Sequence, residues 1–434
     1  MLLTYRFERI EELADVEVMV ENRGDELVYE ISGAGSNKFN RLVKHHFEWF
    51  NRCGPITRHE GSNVYTTYFP PMPSRAHARM LEGFIYHALF QKPMPRVATI
   101  EVTGDCQCSC IHCSAHRPSD TRPVFTRSSL QRVVSECLAM GIHGISYTGG
   151  EPLLRPDLED LISLVPRDQA TVNVFTNAVA LTEERARSLK AAGTYGIMIS
   201  LDSPSPEEHD RLRNRPGAFE AVERGAQAAI EAGLLVSLST YTTQRSVREG
   251  TLGKIVELGA QWGVHEISVF NAIATGRYLR DDKVMIDHDD RKSLLDQAAT
   301  LNKRYGGRPR IITKAWTNQG KGISRYMGCM SGHYHFHITA QGDFTPCDLT
   351  PLSFGNVNAD SVQDIWERLS THSAYCERRY DCRMMSREFR KKYLDPIPED
   401  ASLPYPVDEL DRAWECRDNS QGTSEIECPR AVEG

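Results

Sequence analysis

Residues 97–113 read V-A-T-I-E-V-T-G-D-C-Q-C-S-C-I-H-C. The apolar, β-branched run at 98–103 is a strand candidate, and a cysteine-rich loop follows it at once. Cys106, Cys110 and Cys113 fall within eight residues of that loop. Three thiolates so spaced can wrap one face of a cubane. A [4Fe–4S] cluster has four irons, so three cysteines leave one iron open for a substrate or cofactor. A zinc site would need a fourth ligand from Cys108, His112 or His116. A cysteine-rich loop without metal is the third reading, and spacing alone leaves all three open.

Working outward, strand candidates recur at 144–148, 171–175, 196–201, 234–240 and 266–270. Amphipathic helices alternate with them. Leu130, Val133, Val134, Cys137 and Leu138 form one apolar stripe, stopped by Gly141. Thr182 caps a second helix, with Glu183 and Glu184 in its first turn and Gly193 at its end. Phe219, Val222, Ala226 and Ala229 make a third stripe, closed by Gly233. Six strands alternating with helices predict an α/β fold, a parallel sheet with right-handed crossovers. Chemistry in such sheets sits at the C-terminal strand ends. There the second strand runs into Thr148-Gly149-Gly150-Glu151-Pro152, with Tyr147 expected on the opposite face from Thr148.

Together, the C-x3-C-x2-C loop after the first strand and the GGEP turn after the second resemble the signature of the radical S-adenosylmethionine (SAM) enzymes. The resemblance implies that the GGEP backbone holds the SAM amino group. Two glycines let a backbone approach a ligand closely, and Pro152 suits the first turn of the next helix. Phe175-Thr176-Asn177 follows the third strand. Ser200-Leu201-Asp202-Ser203, then His209-Asp210 and Arg213, resemble the family's SLDG…HD…R segment, which contacts SAM ribose and carboxylate. Ser203 stands where glycine is more usual. The implied SAM contacts are thus Gly149, Gly150, Glu151, Pro152, Asn177, Ser200, Asp202 and Arg213, with Cys106, Cys110 and Cys113 on the cluster. His112 occupies a position often aromatic in the family, packing on adenine. Cys108 is extra to the motif, and Cys137 and Cys53 read as structural.

Cys329, Gly342 and Cys347 form C-x12-G-x4-C across a predicted hairpin whose turn is Gln341-Gly342-Asp343. Two cysteines brought together by a hairpin are half of a metal site, and Cys376 and Cys382 could complete it. With Gly355-Asn356 and Ile365-Trp366, this region resembles the auxiliary-cluster domain of radical SAM enzymes, SPASM in its long form and twitch in its short form. The dense four-cysteine run of the long form is absent, so a twitch-like domain with one extra [4Fe–4S] cluster is expected. Cys416 and Cys428 read as free thiols in a polar tail.

The expected fold is a partial (β/α)6 TIM-like barrel over residues 96–320. A small N-terminal α+β domain of unassigned role precedes it over 1–95. The twitch-like domain occupies 321–400, and a tail runs over 401–434. Strands are expected at 16–20, 26–31 and 63–69 of the first domain, with helices at 39–50 and 76–90.

The 434 residues carry a net charge of -7 and no polybasic run, so no nucleic-acid surface is expected. No stretch approaches the ~20 apolar residues of a membrane span. The N-terminus turns acidic within ten residues and lacks a signal-peptide core, so a cytoplasmic protein is expected. Twelve cysteines in such a chain are buried hydrophobes or ligands rather than a disulfide framework.

The resemblance implies reductive cleavage of SAM to a 5′-deoxyadenosyl radical that takes a hydrogen atom from a substrate. A flavodoxin- or ferredoxin-type protein would supply the electron. Missing the four-cysteine run favours a small-molecule biosynthetic substrate. The alternatives are a peptide maturase, for which residues 1–95 have the size of a leader-binding domain, and a non-catalytic Fe–S or zinc scaffold.

Overall fold

The computed structural model describes residues 1–7, 9–33, 36–115, 122, 124–313 and 328–412. His116, Cys416, Cys428, the end of the expected barrel domain at 314–320 and the tail beyond 412 lie outside the described residues. The N-terminal unit holds strands β1 (Leu2–Arg6), β2 (Glu17–Arg23) and β3 (Glu26–Ser32) as an antiparallel meander. Helix α1 (Ser36–Cys53), the hairpin β4 (Thr57–His59) and β5 (Ser62–Val64), and helix α2 (Arg75–Phe90) follow.

Next come the alternating elements. They are β6 (Val97–Thr103), α3 (Arg127–Ala139), β7 (Gly144–Gly149), α4 (Leu158–Ile162), β8 (Thr171–Thr176), α5 (Glu183–Ala192) and β9 (Thr194–Ser200). They continue with α6 (Pro206–Arg213), α7 (Ala218–Glu231), β10 (Leu235–Thr242), α8 (Gln244–Arg248), α9 (Thr251–Trp262), β11 (Glu266–Asn271), α10 (His288–Arg304) and β12 (Arg310–Thr313). The last described part contains β13 (His335–Ile338), β14 (Phe344–Thr345), β15 (Leu352–Ser353), α11 (Val362–Thr371), α12 (Arg387–Tyr393) and β16 (Tyr405–Pro406).

All six strands read from the sequence are present, each parallel to its neighbour. A seventh, β12, extends the sheet beyond β11; its short run Arg310-Ile311-Ile312-Thr313 was not read as a strand. The sheet order is β12-β11-β10-β9-β8-β7-β6-β13-β14. Thus the hairpin of the second cysteine set is built onto the barrel sheet, with β13 parallel to β6. Buried Glu101 of β6 meets His337 of β13 at 3.2 Å and accepts from the Ala340 amide at 3.3 Å, tying the hairpin to the sheet.

Period-two alternation sorts the strand side chains. In β7, Ile145 and Tyr147 join the core under the helices while Ser146 and Thr148 face a central cavity. The Tyr147 hydroxyl donates to the Leu161 carbonyl at 3.1 Å, so it faces away from Thr148 as expected. In β8, Val172 and Val174 pack outward while Asn173 and Phe175 line the cavity. Strands β6 to β12 all contribute to that lining, so the open sheet curls into a partial barrel. On its outer face the α3 stripe Leu130, Val133, Val134 and Cys137 is fully buried. Each such aliphatic side chain contributes about 1.5–3 kcal/mol. No helix among the described residues is long and apolar enough to cross a membrane.

Residues 63–69 depart from the expected strand. Only Ser62–Val64 pair as β5, and the following residues insert into the floor of the barrel. Thr67 Oγ1 donates to Glu266 Oε1 at 2.5 Å, and its carbonyl accepts from Asn173 Nδ2 at 3.0 Å. Tyr195 donates to the Phe69 carbonyl at 3.0 Å. Arg310 grips the carbonyls of Tyr65, Cys53 and Gly54. Backbone groups that would have made a ladder are satisfied by barrel side chains instead.

The N-terminal core contains a polar chain. Tyr5 Oη lies 2.7 Å from His77 Nδ1, and His77 Nε2 lies 2.9 Å from His46 Nε2. An N···N contact needs one ring to donate and the other to accept, so the accepting ring must be neutral. Burial pushes His46 down to about 3, His143 down to about 3, and His77 well below its usual value. Below pH ~6.5 the unfolded chain binds protons that the folded one refuses, so stability falls as pH falls. Thermal unfolding followed by calorimetry from pH 7.5 to 5 is expected to show a falling Tm below pH ~6.5. The loss is about 1.4 kcal/mol per pH unit for each such histidine. A flat Tm across that range contradicts the assignment.

Candidate active site

Where β6 ends, the cysteine loop is pinned from three sides. Ser109 and Ile111 donate their amides to the carbonyls of Arg213 and Leu212, at the C-terminal end of α6. Arg277 donates its amide to the Cys113 carbonyl at 3.0 Å. Gly276 lies so close there that a Cβ would sit 2.1 Å from the Cys113 oxygen.

Gly149 and Gly150 have a role the sequence did not disclose. A Cβ on Gly149 would lie 2.2 Å from the Thr103 oxygen, and one on Gly150 would lie 2.2 Å from the Asp105 oxygen. Gly149 also has φ +144, in a region side chains avoid. The turn after β7 therefore presses directly on the base of the cysteine loop. Gly150 and Glu151 donate their amides to the carbonyls of Thr103 and Asp105 at 2.8 and 2.7 Å.

Glu151 is buried, and both its oxygens are engaged. They accept from Thr176 Oγ1 and the Asn177 amide, both at 2.7 Å. Burial pushes its pKa up to about 7, against those hydrogen bonds. Its carboxylate thus braces the end of β8 and sets the direction of Asn177. Asn177 Nδ2 in turn lies 3.7 Å from Cys106 Sγ. Pro152 starts a single turn of 3-10 helix and is not on the cavity wall.

Asp202 is the centre of a buried charge group. Its Oδ2 meets Arg213 Nη2 at 2.7 Å and His112 Nε2 at 3.2 Å. Burial works to raise its pKa, but Arg213 and His112 outweigh it and hold it well below the usual carboxylate range. Arg213 also reaches Cys110 Sγ at 3.7 Å, so it joins Asp202 to the cysteine loop. The His112 ring is stacked on Tyr241, centroids 4.8 Å apart, so one of its faces is covered by protein. Ser200, Asp202, Arg213, Asn177, Gly149, Gly150 and Glu151 all line one cavity with Cys106, Cys110 and Cys113.

That cavity measures about 1360 Å³, and Cys329, Cys347 and Cys382 line it as well. Burial pushes the Cys382 thiol well up, and the nearby thiols of Cys329 and Cys347 push it further. Cys347 Sγ lies 3.2 Å from Thr350 Oγ1. Cys376 is not on the wall; its thiol lies 3.7 Å from the Ser373 carbonyl. Cys137 is buried in the core under α3, and Cys53 borders the cavity floor.

The residues fit the groups expected of them. Soft thiols make up each set, as iron–sulfur ligation requires. Among the described residues, no three His, Cys, Asp or Glu side chains are arranged to grip a single metal ion. A cubane spreads its ligands over several irons. Nitrogen donors from Arg213 and Asn177 already face sulfur. Buried polar atoms on the wall lack protein partners, among them His112 Nδ1, Asn173 Oδ1 and Asn271 Oδ1. The volume exceeds the ~300–1,000 Å³ of an ordinary ligand pocket, leaving room for more than one bound group.

Several lining residues were not legible beforehand. Trp49, Phe50, Tyr68 and Phe69 come from the N-terminal unit, and Asn173, Tyr241 and Asn271 from the strands. Its place between Val172 and Val174 marks Asn173 as facing away from the helices; Tyr241 and Asn271 lie one residue beyond the expected strands, and nothing local marks the first four.

Comparison with known proteins adds three findings. The Radical SAM superfamily matches residues 100–259, and the SPASM iron–sulfur cluster-binding domain matches residues 329–393. An AdoMet-dependent heme synthase of Methanosarcina barkeri is 28% identical over 292 residues, covering 63% of this chain and 82% of the relative. The sporulation killing factor maturation protein SkfB of Bacillus subtilis is 25% identical over 284 residues, covering 65% and 68%. The crystal structure of Streptococcus suis SuiB bound to precursor peptide SuiA shares the fold. Its TM-score is 0.54 at 14% identity, over 82% of this chain and 88% of that one.

Proposed function

This chain belongs to the radical SAM superfamily and carries an SPASM domain, and from that premise we propose that it performs hydrogen-atom abstraction on a compact substrate held between two cysteine sets. It is a radical SAM enzyme whose cofactors are a [4Fe–4S] cluster, SAM and auxiliary iron–sulfur chemistry. When bound, the cluster would pass one electron to SAM, whose C–S bond would break to give methionine and a 5′-deoxyadenosyl radical. A flavodoxin- or ferredoxin-type donor provides that electron.

The observation that carries the reading is that Cys106, Cys110 and Cys113 line the same cavity as Cys329, Cys347 and Cys382. In this reading Cys106, Cys110 and Cys113 hold the first cluster. Arg213 and Asn177 point N–H groups at its sulfurs. Asp202 and Ser200 hold the SAM ribose side, with Arg213 keeping Asp202 ionised. Gly149 and Gly150 bring the turn against the loop, and Glu151 acts through Asn177. Cys329, Cys347 and Cys382 would hold one auxiliary cluster; Cys376, which is off the cavity wall, is a poor candidate for a further ligand. The barrel of residues 96–320 and the domain of 321–400 share the cavity, and the N-terminal unit of 1–95 closes its floor.

A floor sealed by Thr67–Glu266 contact favours a compact small molecule over a chain threading the barrel. The relative named for heme synthesis agrees with that. A peptide is the second reading, supported by the antiparallel meander with β3 at its edge and by the likeness to SkfB. An exposed sheet edge can accept an added strand. The two readings separate by SAM turnover in the presence of a low-molecular-mass cell extract, before and after exhaustive proteolysis of that extract. Stimulation of 5′-deoxyadenosine formation that survives the protease supports the small molecule. Stimulation destroyed by it transfers the assignment to a peptide.

A further inference from the structure

Next in sequence to Cys382 lies a cation without a counter-charge among the described residues. Arg383 follows Cys382 directly and is 2% exposed. Its Nε donates to the Ala374 carbonyl at 2.6 Å, its Nη2 to the Glu377 carbonyl, and its Nη1 has no partner. Both acceptors are neutral backbone groups. Among the described residues it forms no ion pair with a carboxylate. Buried charges are normally paired, because an isolated one is poorly solvated.

The guanidinium lies 4.8 Å from the centre of the Tyr375 ring. That ring is fully buried, and its hydroxyl has no hydrogen-bond partner. The phenol lies near Thr350, the same residue whose Oγ1 is 3.2 Å from Cys347 Sγ. Burial pushes its pKa well up. The thiols of Cys347 and Cys329 add to that, while Arg383 opposes them. Tyr375 thus lies in the field of the thiols and of the guanidinium at once.

We propose that Arg383 is the fixed counter-charge of the cluster held by Cys329, Cys347 and Cys382, and that it acts with Tyr375 to raise that cluster's reduction potential. The inference rests on the assignment of those three cysteines to a cluster. Three thiolates supply the anion that Arg383 lacks. Reduction adds one more negative charge, which a nearby cation stabilises more than it stabilises the oxidised state. The unused phenol donor adds a hydrogen bond on the sulfur side, and both net charge and hydrogen bonds to sulfur set such potentials. Arg383 and Tyr375 are positioning residues in this account, since neither touches the reacting atoms.

The test uses the full chain in a C106A/C110A/C113A background, so that only the second set can bind iron. Arg383→Met, Arg383→Lys and Tyr375→Phe are added one at a time. Iron and sulfide content and an EPR-monitored redox titration are read for each. The expected result is unchanged iron with a lower potential in Arg383→Met and a smaller shift the same way in Tyr375→Phe. Arg383→Lys should restore most of the parent value. If Arg383→Met fails to fold, the Tyr375→Phe shift decides. Unchanged potentials with iron retained overturn the proposal alone. Absence of iron from the background protein overturns the cluster assignment, and the proposal falls with it.

Discussion

Reconstituted C106A/C110A/C113A protein is expected to form no detectable 5′-deoxyadenosine and to hold about four irons where the wild type holds about eight, at four irons per cubane. The three residues occupy one short loop whose backbone is tied to α6 and to Arg277. Their removal takes one set of thiols from the cavity and leaves Cys329, Cys347 and Cys382 in place. Iron, sulfide and 5′-deoxyadenosine measured under a strong reductant check this. Wild-type protein with about four irons would remove the auxiliary cluster and recast the second set as zinc ligands or structural thiols. Little iron and no 5′-deoxyadenosine from the wild type would revive the scaffold reading.

The second large effect is expected from one methyl group. Gly150→Ala places a Cβ 2.2 Å from the Asp105 oxygen and 2.6 Å from the Gly104 oxygen, both backbone atoms that no rotamer change can move aside. The turn must shift away from the loop. Displacing reacting groups by about 1 Å costs on the order of 10²-fold in rate. SAM cleavage should fall by about that factor while iron content is kept, because the cysteines themselves are untouched. Gly253→Ala in α9 is the matched control: a Cβ there meets nothing within 4 Å. It is expected to leave SAM cleavage unchanged and to stabilise the helix by up to ~1 kcal/mol. Equal rates for Gly150→Ala and wild type would show that the tight approach of the two turns is not required.

Glu151 and Asn177 illustrate how far the sequence could be read. Both belong to motifs placed just after strands, and both reach the cavity. The motif could not say that the Glu151 carboxylate spends its hydrogen bonds on Thr176 and Asn177. Nor could it say that Arg213, eleven residues beyond Asp202, returns to pair with it, because that depends on the length and direction of α6. Similarly, β12 escaped notice because four residues carry too little periodicity to read, and the run 65–69 looked like a strand because aromatic and β-branched residues favour one. Its ladder partners were absent, and barrel side chains took their place.

Sequence alone determined the alternating α/β architecture, the loop of Cys106, Cys110 and Cys113, and the glycine turn after the second strand. These are local features: a strand's period, a helix's stripe and three ligands within one loop are written in neighbouring residues. Tertiary structure decided what depends on distant residues. It put Cys382 rather than Cys376 on the cavity wall, laid Arg383 over Tyr375 beside the same thiols, and drove Thr67 into the barrel floor against Glu266. Burial and charge pairing are properties of the neighbours a side chain meets in space, and those neighbours lie from eight residues (Tyr375 and Arg383) to 199 residues (Thr67 and Glu266) away along the chain.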